Sequence, residues 1–110
     1  MADDQNQILI PQSFIDLFAP PGRPIPRRDW QELAARYEMC EDMAQLLTET
    51  ARQKLFELGI AEEDVLQRMA YGLRAAGQFS VDEAVWVVTR LAELLGWPAP
   101  LLPGDETAAD

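Results

Sequence analysis

Residues 38–43, EMCEDM, bring one thiol and three carboxylates into six positions. On a helix, Glu38 and Asp42 lie one turn apart and Glu41 sits beside Cys40. Such a patch has the oxygen ligands a hard cation takes, and a carboxyl with a raised pKa there could do acid–base work. The surrounding pattern argues for a quieter role. Cys40 falls on an apolar seam, where a thiol behaves as a small hydrophobe, and the acids fall on its flank, where they keep a surface helix soluble. Neighbouring carboxylates also disfavour a reactive thiolate.

Other catalytic sets lack their parts. The chain contains no histidine, which removes Ser-His and Cys-His nucleophile pairs, HExxH zinc sites and the Glu-x-x-His ligands of di-iron bundles. Its six glycines are scattered, and no GxxxxGK[ST] phosphate loop occurs. The single cysteine, Cys40, forms neither an internal disulfide nor a four-thiolate metal site. The expectation is a non-enzyme with no cofactor and no metal.

Two groups of residues suit partner binding instead. Trp86 lies in AVWVV, which makes its helix apolar on nearly three sides. A helix of that kind is either central in a bundle or carries an interface, so Trp86 and Val87 are candidate contact residues. Trp30 falls on the long seam and reads as core, and Trp97 follows a helix stop. The second group is Arg23, Arg27 and Arg28 within FAPPGRPIPRR. Pro21 and Pro24 form a PxxP, but the spacing beyond them fits a groove-binding ligand poorly. The stretch reads better as a semi-rigid strap, 19–28, whose arginines meet an acidic partner or the protein's own acidic helices.

The elements that position these residues follow from apolar spacing. From Trp30 the apolar positions run 30, 33, 37, 40, 44, 47, 51, 55 and 58 with no Pro or Gly before Gly59. This predicts one long helix over about 29–58, capped by Asp29. AEEDVLQRMAYGLRAAG predicts a second helix at about 61–75, with three acids in its first turn and Gly77 as its stop. SVDE at 80–83 is a capping box opening a third helix at about 81–95, which stops at Gly96. Pro11, Phe14, Leu17 and Phe18 predict a short helix at about 12–18 in an N-terminal arm docked on the others. The fold class is all-α, a small helical bundle. Residues 1–7 read as a disordered start, 8–97 as a single helical domain and 98–110 as a disordered acidic tail.

The totals restrict partners. At 110 residues with 48% apolar and 25% charged content, the chain is one ordinary globular domain's worth of sequence. Nineteen acids against nine bases give a net charge of −10, which repels nucleic-acid phosphates and anionic lipid. No basic n-region precedes an apolar run at the N-terminus and no run is long enough for a membrane span, so the cytoplasm is the expected compartment. The high ratio of Arg to Lys, with abundant Ala, suggests a GC-rich bacterial genome. The 3–4 spacing from 30 to 51 also matches a heptad for three repeats, which allows a homodimer.

Three segments carry a family resemblance: IPQSFIDLFAPPGRPIP, RYEMCEDMAQLLTETA with LFELGIAEEDVL, and EAVWVVTRLAELLGW. Together they resemble small uncharacterised proteobacterial proteins labelled "ATPase with chaperone activity", over residues 8–97. The label has no nucleotide-binding motif here to support it, so what the resemblance implies is association with an ATPase encoded elsewhere. It brings no site residue with it.

The functional expectation is a non-catalytic cytoplasmic adaptor or accessory protein that binds another protein, with no nucleic acid and no membrane as partner. Two other classes stay open. One is an acidic nucleic-acid mimic that occupies a DNA-binding protein's cationic groove, and the other is a carboxylate- or metal-dependent enzyme using Glu38 and Asp42.

Overall fold

The structure, a computed structural model, describes residues 9–19 and 25–100. These form four helices: α1 (Gln12–Ile15), α2 (Arg27–Leu58), α3 (Glu62–Ala76) and α4 (Val81–Leu95). The fold is all-α, with no strand among the described residues. Residues 1–7, positions 20–24 of the Pro-rich strap and all but three positions of the 98–110 tail lie outside them.

α2 runs for 32 residues, about 48 Å at the usual rise per residue. It starts two positions earlier than its apolar pattern indicates. Pro26 stands just before it, where a missing N–H leaves no donor orphaned. Asp29 donates its own N–H to Pro26 O at 2.9 Å, so it lies inside the first turn and does not cap the helix. Its carboxylate still favours the helix dipole there. Arg27 and Arg28 belong to α2, and the strap is shorter by those two residues. At the other end Gly59 takes φ +63° and donates to Leu55 O at 3.1 Å, a left-handed stop that costs glycine little.

The chain divides into two compact units, Met1–Met39 and Cys40–Asp110, with the border inside α2. In the first unit, Pro11 O accepts from the N–H groups of both Phe14 (3.0 Å) and Ile15 (3.1 Å), which starts α1. After Asp16, whose N–H still donates to Gln12 O at 2.9 Å, two bonds shorten to i→i−3: Leu17 N–H donates to Phe14 O and Phe18 N–H to Ile15 O, both at 3.0 Å. That tighter turn ends α1 at Ile15, short of the 12–18 span that the Phe14, Leu17 and Phe18 spacing suggests. Phe14 is fully buried, with its ring 5.2 Å from Phe18 and 5.5 Å from Tyr37 of α2, the latter edge-on at 69°. Leu33, one turn before Tyr37, is buried as well. The arm is therefore held by an aromatic cluster, whose geometry suits the ring quadrupoles.

In the second unit α3 and α4 form a helical hairpin. α3 contributes Val65, Leu66, Met69 and Ala70 to the core, and α4 contributes Ala84, Val87, Val88, Leu91 and Ala92. Both sets recur at three and four residues, which places them on one stripe of each helix. From α2 the buried positions are Cys40, Ala44 and Ala51, all small. Phe79, in the connection between α3 and α4, is buried too.

The hairpin's ends are chemically specified. Ser80 Oγ accepts from Glu83 N–H at 3.1 Å, and Glu83 Oε1 accepts from Ser80 N–H at 3.0 Å, the reciprocal capping box its sequence indicates. Glu83 is buried, and this bonding lets a carboxylate stay there. Ser80→Ala should lower unfolding stability by about 1 kcal/mol in urea titration, and an unchanged midpoint would deny the box an energetic role. After α4, Gly96 takes φ +74°, and Trp97 N–H reaches Ala92 O (2.9 Å) while Gly96 N–H reaches Glu93 O (3.2 Å). This paired pattern satisfies two terminal carbonyls at once and turns the chain back. Beyond it Pro98 and Ala99 are exposed and Pro100 is buried.

Candidate functional site

The carboxylates of EMCEDM do not act together. Cys40 is fully buried, Glu38 and Asp42 are exposed, and Glu41 turns toward α4. There Arg90 Nε donates to Glu41 Oε1 at 2.9 Å and Arg90 Nη2 donates to Glu41 Oε2 at 3.2 Å, a forked pairing. Gln45 Nε2 donates to the same Oε2 at 2.8 Å, and Arg90 Nη1 reaches Glu93 Oε1 at 3.0 Å. Among the described residues, no group of three or more His, Cys, Asp or Glu side chains converges as a metal cage.

Burial on its own would raise the Glu41 carboxyl. The hydrogen bonds from Arg90 and Gln45, with the charge of Arg90, outweigh it and hold the pKa below its ordinary 4.5. The Arg90 guanidinium is raised in turn, first by its bond to Glu41 and then by Glu93. A depressed carboxylate stabilises the fold above its unfolded pKa, and that contribution is lost as pH falls through the folded one. Stability measured from pH 6 down to pH 3 should therefore fall more steeply for the wild type than for Glu41→Gln. The difference at neutral pH should be about 1 kcal/mol, since Arg90 remains partly solvated. Parallel curves for the two proteins would show that the pair does not couple to folding.

The other sequence candidates fall in different places. Trp86 is only 8% exposed and Val87 is fully buried, so both pack inside the second unit and present no free surface. AVWVV is apolar on nearly three sides because α4 is central in its unit, not because it carries an open interface. Trp30, by contrast, is 39% exposed despite lying on the seam. Arg27 and Arg28 are exposed in the first turn of α2, and Arg23 lies outside the described residues.

A different surface stands out within the second unit. An open cleft of about 340 Å³ runs between the last three turns of α2 and the middle of α3. Leu47, Lys54 and Leu58 line it from α2. Arg68, Met69, Gly72 and Leu73 line it from α3. Leu46, one helical turn before the lining residue Thr50 and next to the lining residue Leu47, is 72% exposed. Leu47 and Leu58 belong to the seam that spacing reveals, and Met69 and Leu73 to the apolar face of α3. What spacing does not reveal is that, among the described residues, Leu47, Leu58 and Leu73 stay open to solvent here while Met69 is buried. The signal that could have marked the place is Leu46 beside Leu47, an apolar residue off the seam.

Comparison with protein-family models, with curated proteins and with solved structures finds no match to this chain.

Proposed function

We propose that the protein is a non-catalytic accessory protein of the cytoplasm that works by binding another protein. The observation that carries this reading is the apolar cleft, lined by the exposed Leu58 and the half-buried Leu47 and Leu73, with the exposed Leu46 next to Leu47 in the chain. Large apolar side chains gathered at one concave place are costly in water and characteristic of contact surfaces. Phe56, 89% exposed on another side of α2, adds to the apolar area this small chain leaves open. A nucleic-acid mimic would present carboxylates at its contact surface, whereas the cleft presents Lys54 and Arg68. Support for the compartment is compositional: the lone Cys40 makes no disulfide, and no described helix is long and apolar enough to cross a membrane. The resemblance to proteins labelled as chaperone ATPases points to a separately encoded ATPase as one partner to look for.

Affinity capture of the tagged full chain from its native host tests the reading, with Leu46→Glu as the comparison. A reproducible protein partner that Leu46→Glu fails to retain is the expected result. Recovery of no partner would count against the reading, and the same partners from both proteins would count against this surface as the place of binding.

A further inference from the structure

The cleft has the dimensions and charges of a seat for one kind of partner. Along α2, Leu47 to Leu58 spans a rise of about 16 Å, three helical turns. Its lining is apolar through Leu47, Leu58, Met69 and Leu73. Gly72 leaves the α3 wall bare, since a Cβ built there would meet nothing within 4 Å. A groove of this kind between two helices takes the apolar stripe of a third.

Charge narrows the choice. Lys54 stands on one wall and Arg68 on the other, and neither has an ion-pair partner among the described residues. In a chain with nineteen acids and nine bases, two unpaired cations flanking one apolar groove are poorly explained by solubility. Opposite them, carboxylates would be attracted and ammonium or guanidinium groups repelled. The chain's net charge of −10 opposes an acidic partner at long range. At physiological salt that repulsion is screened beyond about 8 Å, while contacts made in the groove persist.

We propose that the cleft docks an amphipathic helix of a partner protein, about three turns long, with an apolar stripe at i, i+4 and i+7 and carboxylates flanking that stripe. This assignment rests on reading the chain as a protein-binding accessory protein, and it names where and what that binding recognises.

The probe is a capped model helix of about 15 residues, with leucines at three- and four-residue spacing and glutamates beside them. A second peptide carries lysine at each glutamate. Fluorescence anisotropy with the full chain should show binding of the glutamate peptide, with the lysine peptide weaker by about tenfold or more. The Lys54→Glu, Arg68→Glu double variant should lose about tenfold in affinity for the glutamate peptide and invert the preference. Gly72→Met, which fills the cleft from a helix position tolerant of a side chain, should also weaken binding without lowering the melting temperature. Equal binding of both peptides, binding of neither, or an unchanged affinity in the double variant would overturn the assignment. So would sedimentation showing a dimer that charge reversal separates, because the occupant would then be a second copy. Peptide binding seen only after removal of residues 101–110 would likewise assign the cleft to that segment. A host partner retained equally by wild type and double variant would remove the cleft from the account while leaving the protein-binding reading standing.

Discussion

Phe14→Ala should cost about 3–5 kcal/mol and release the 9–19 segment from α2. The ring is fully buried and meets both Phe18 and the edge-on Tyr37, so truncation removes a large apolar area and two aromatic contacts together. α1 has only four residues and cannot persist on its own propensity, which leaves the aromatic cluster as its main support. Limited proteolysis at 9–19 together with urea titration would read both consequences. Phe18→Ala should do much less, because Phe18 is half exposed. A Phe14→Ala protein within 1 kcal/mol of wild type, with the segment still protected, would show that the arm is held by something else.

Leu91→Ala is the second large effect, expected at about 2–5 kcal/mol. Leu91 is fully buried among the largest core side chains of the second unit, with Leu66, Val65, Val87 and Val88. It also follows Arg90, so loosening α4 there would disturb the forked bond to Glu41 as well as open a cavity. The informative contrast is Leu46→Ala. An exposed leucine on a free surface should change stability by less than about 0.5 kcal/mol. Equal losses for Leu91→Ala and Leu46→Ala in chemical denaturation would mean that core and free surface have been exchanged.

The helices were legible because their causes are local. A 3–4 apolar spacing without Pro or Gly marks α2, and the Ser80–Glu83 box and Gly96 bound α4 in the sequence as they do in the structure. Even the seam role of Cys40 is readable, since its neighbours at 37 and 44 share its face. The start of α2 was not, because Asp29 is a good cap in isolation and only the Pro26 carbonyl shows that the helix has already begun. Trp30 departs from its expected core role for a related reason. Spacing assigns a residue to a face but not the neighbour that covers that face, so the seam residue Trp30 is exposed, while Trp86 takes the central of its two open readings and is buried. The Glu41–Arg90 pair joins positions 49 residues apart, and no local pattern encodes it. The cleft is invisible to sequence for the same reason, because it forms where Leu47 and Leu58 of α2 come beside Met69 and Leu73 of α3.

The exposed Leu46, beside the lining residue Leu47, marks the surface where another protein is proposed to bind. A photo-cross-linking amino acid placed at Leu46 in cells of the native host tests it most directly, with the exposed Asp82 at the start of α4 as the comparison position. A discrete cross-linked adduct with another protein is expected from position 46 and none from position 82. No adduct at position 46, or the same adducts from both positions, would contradict it.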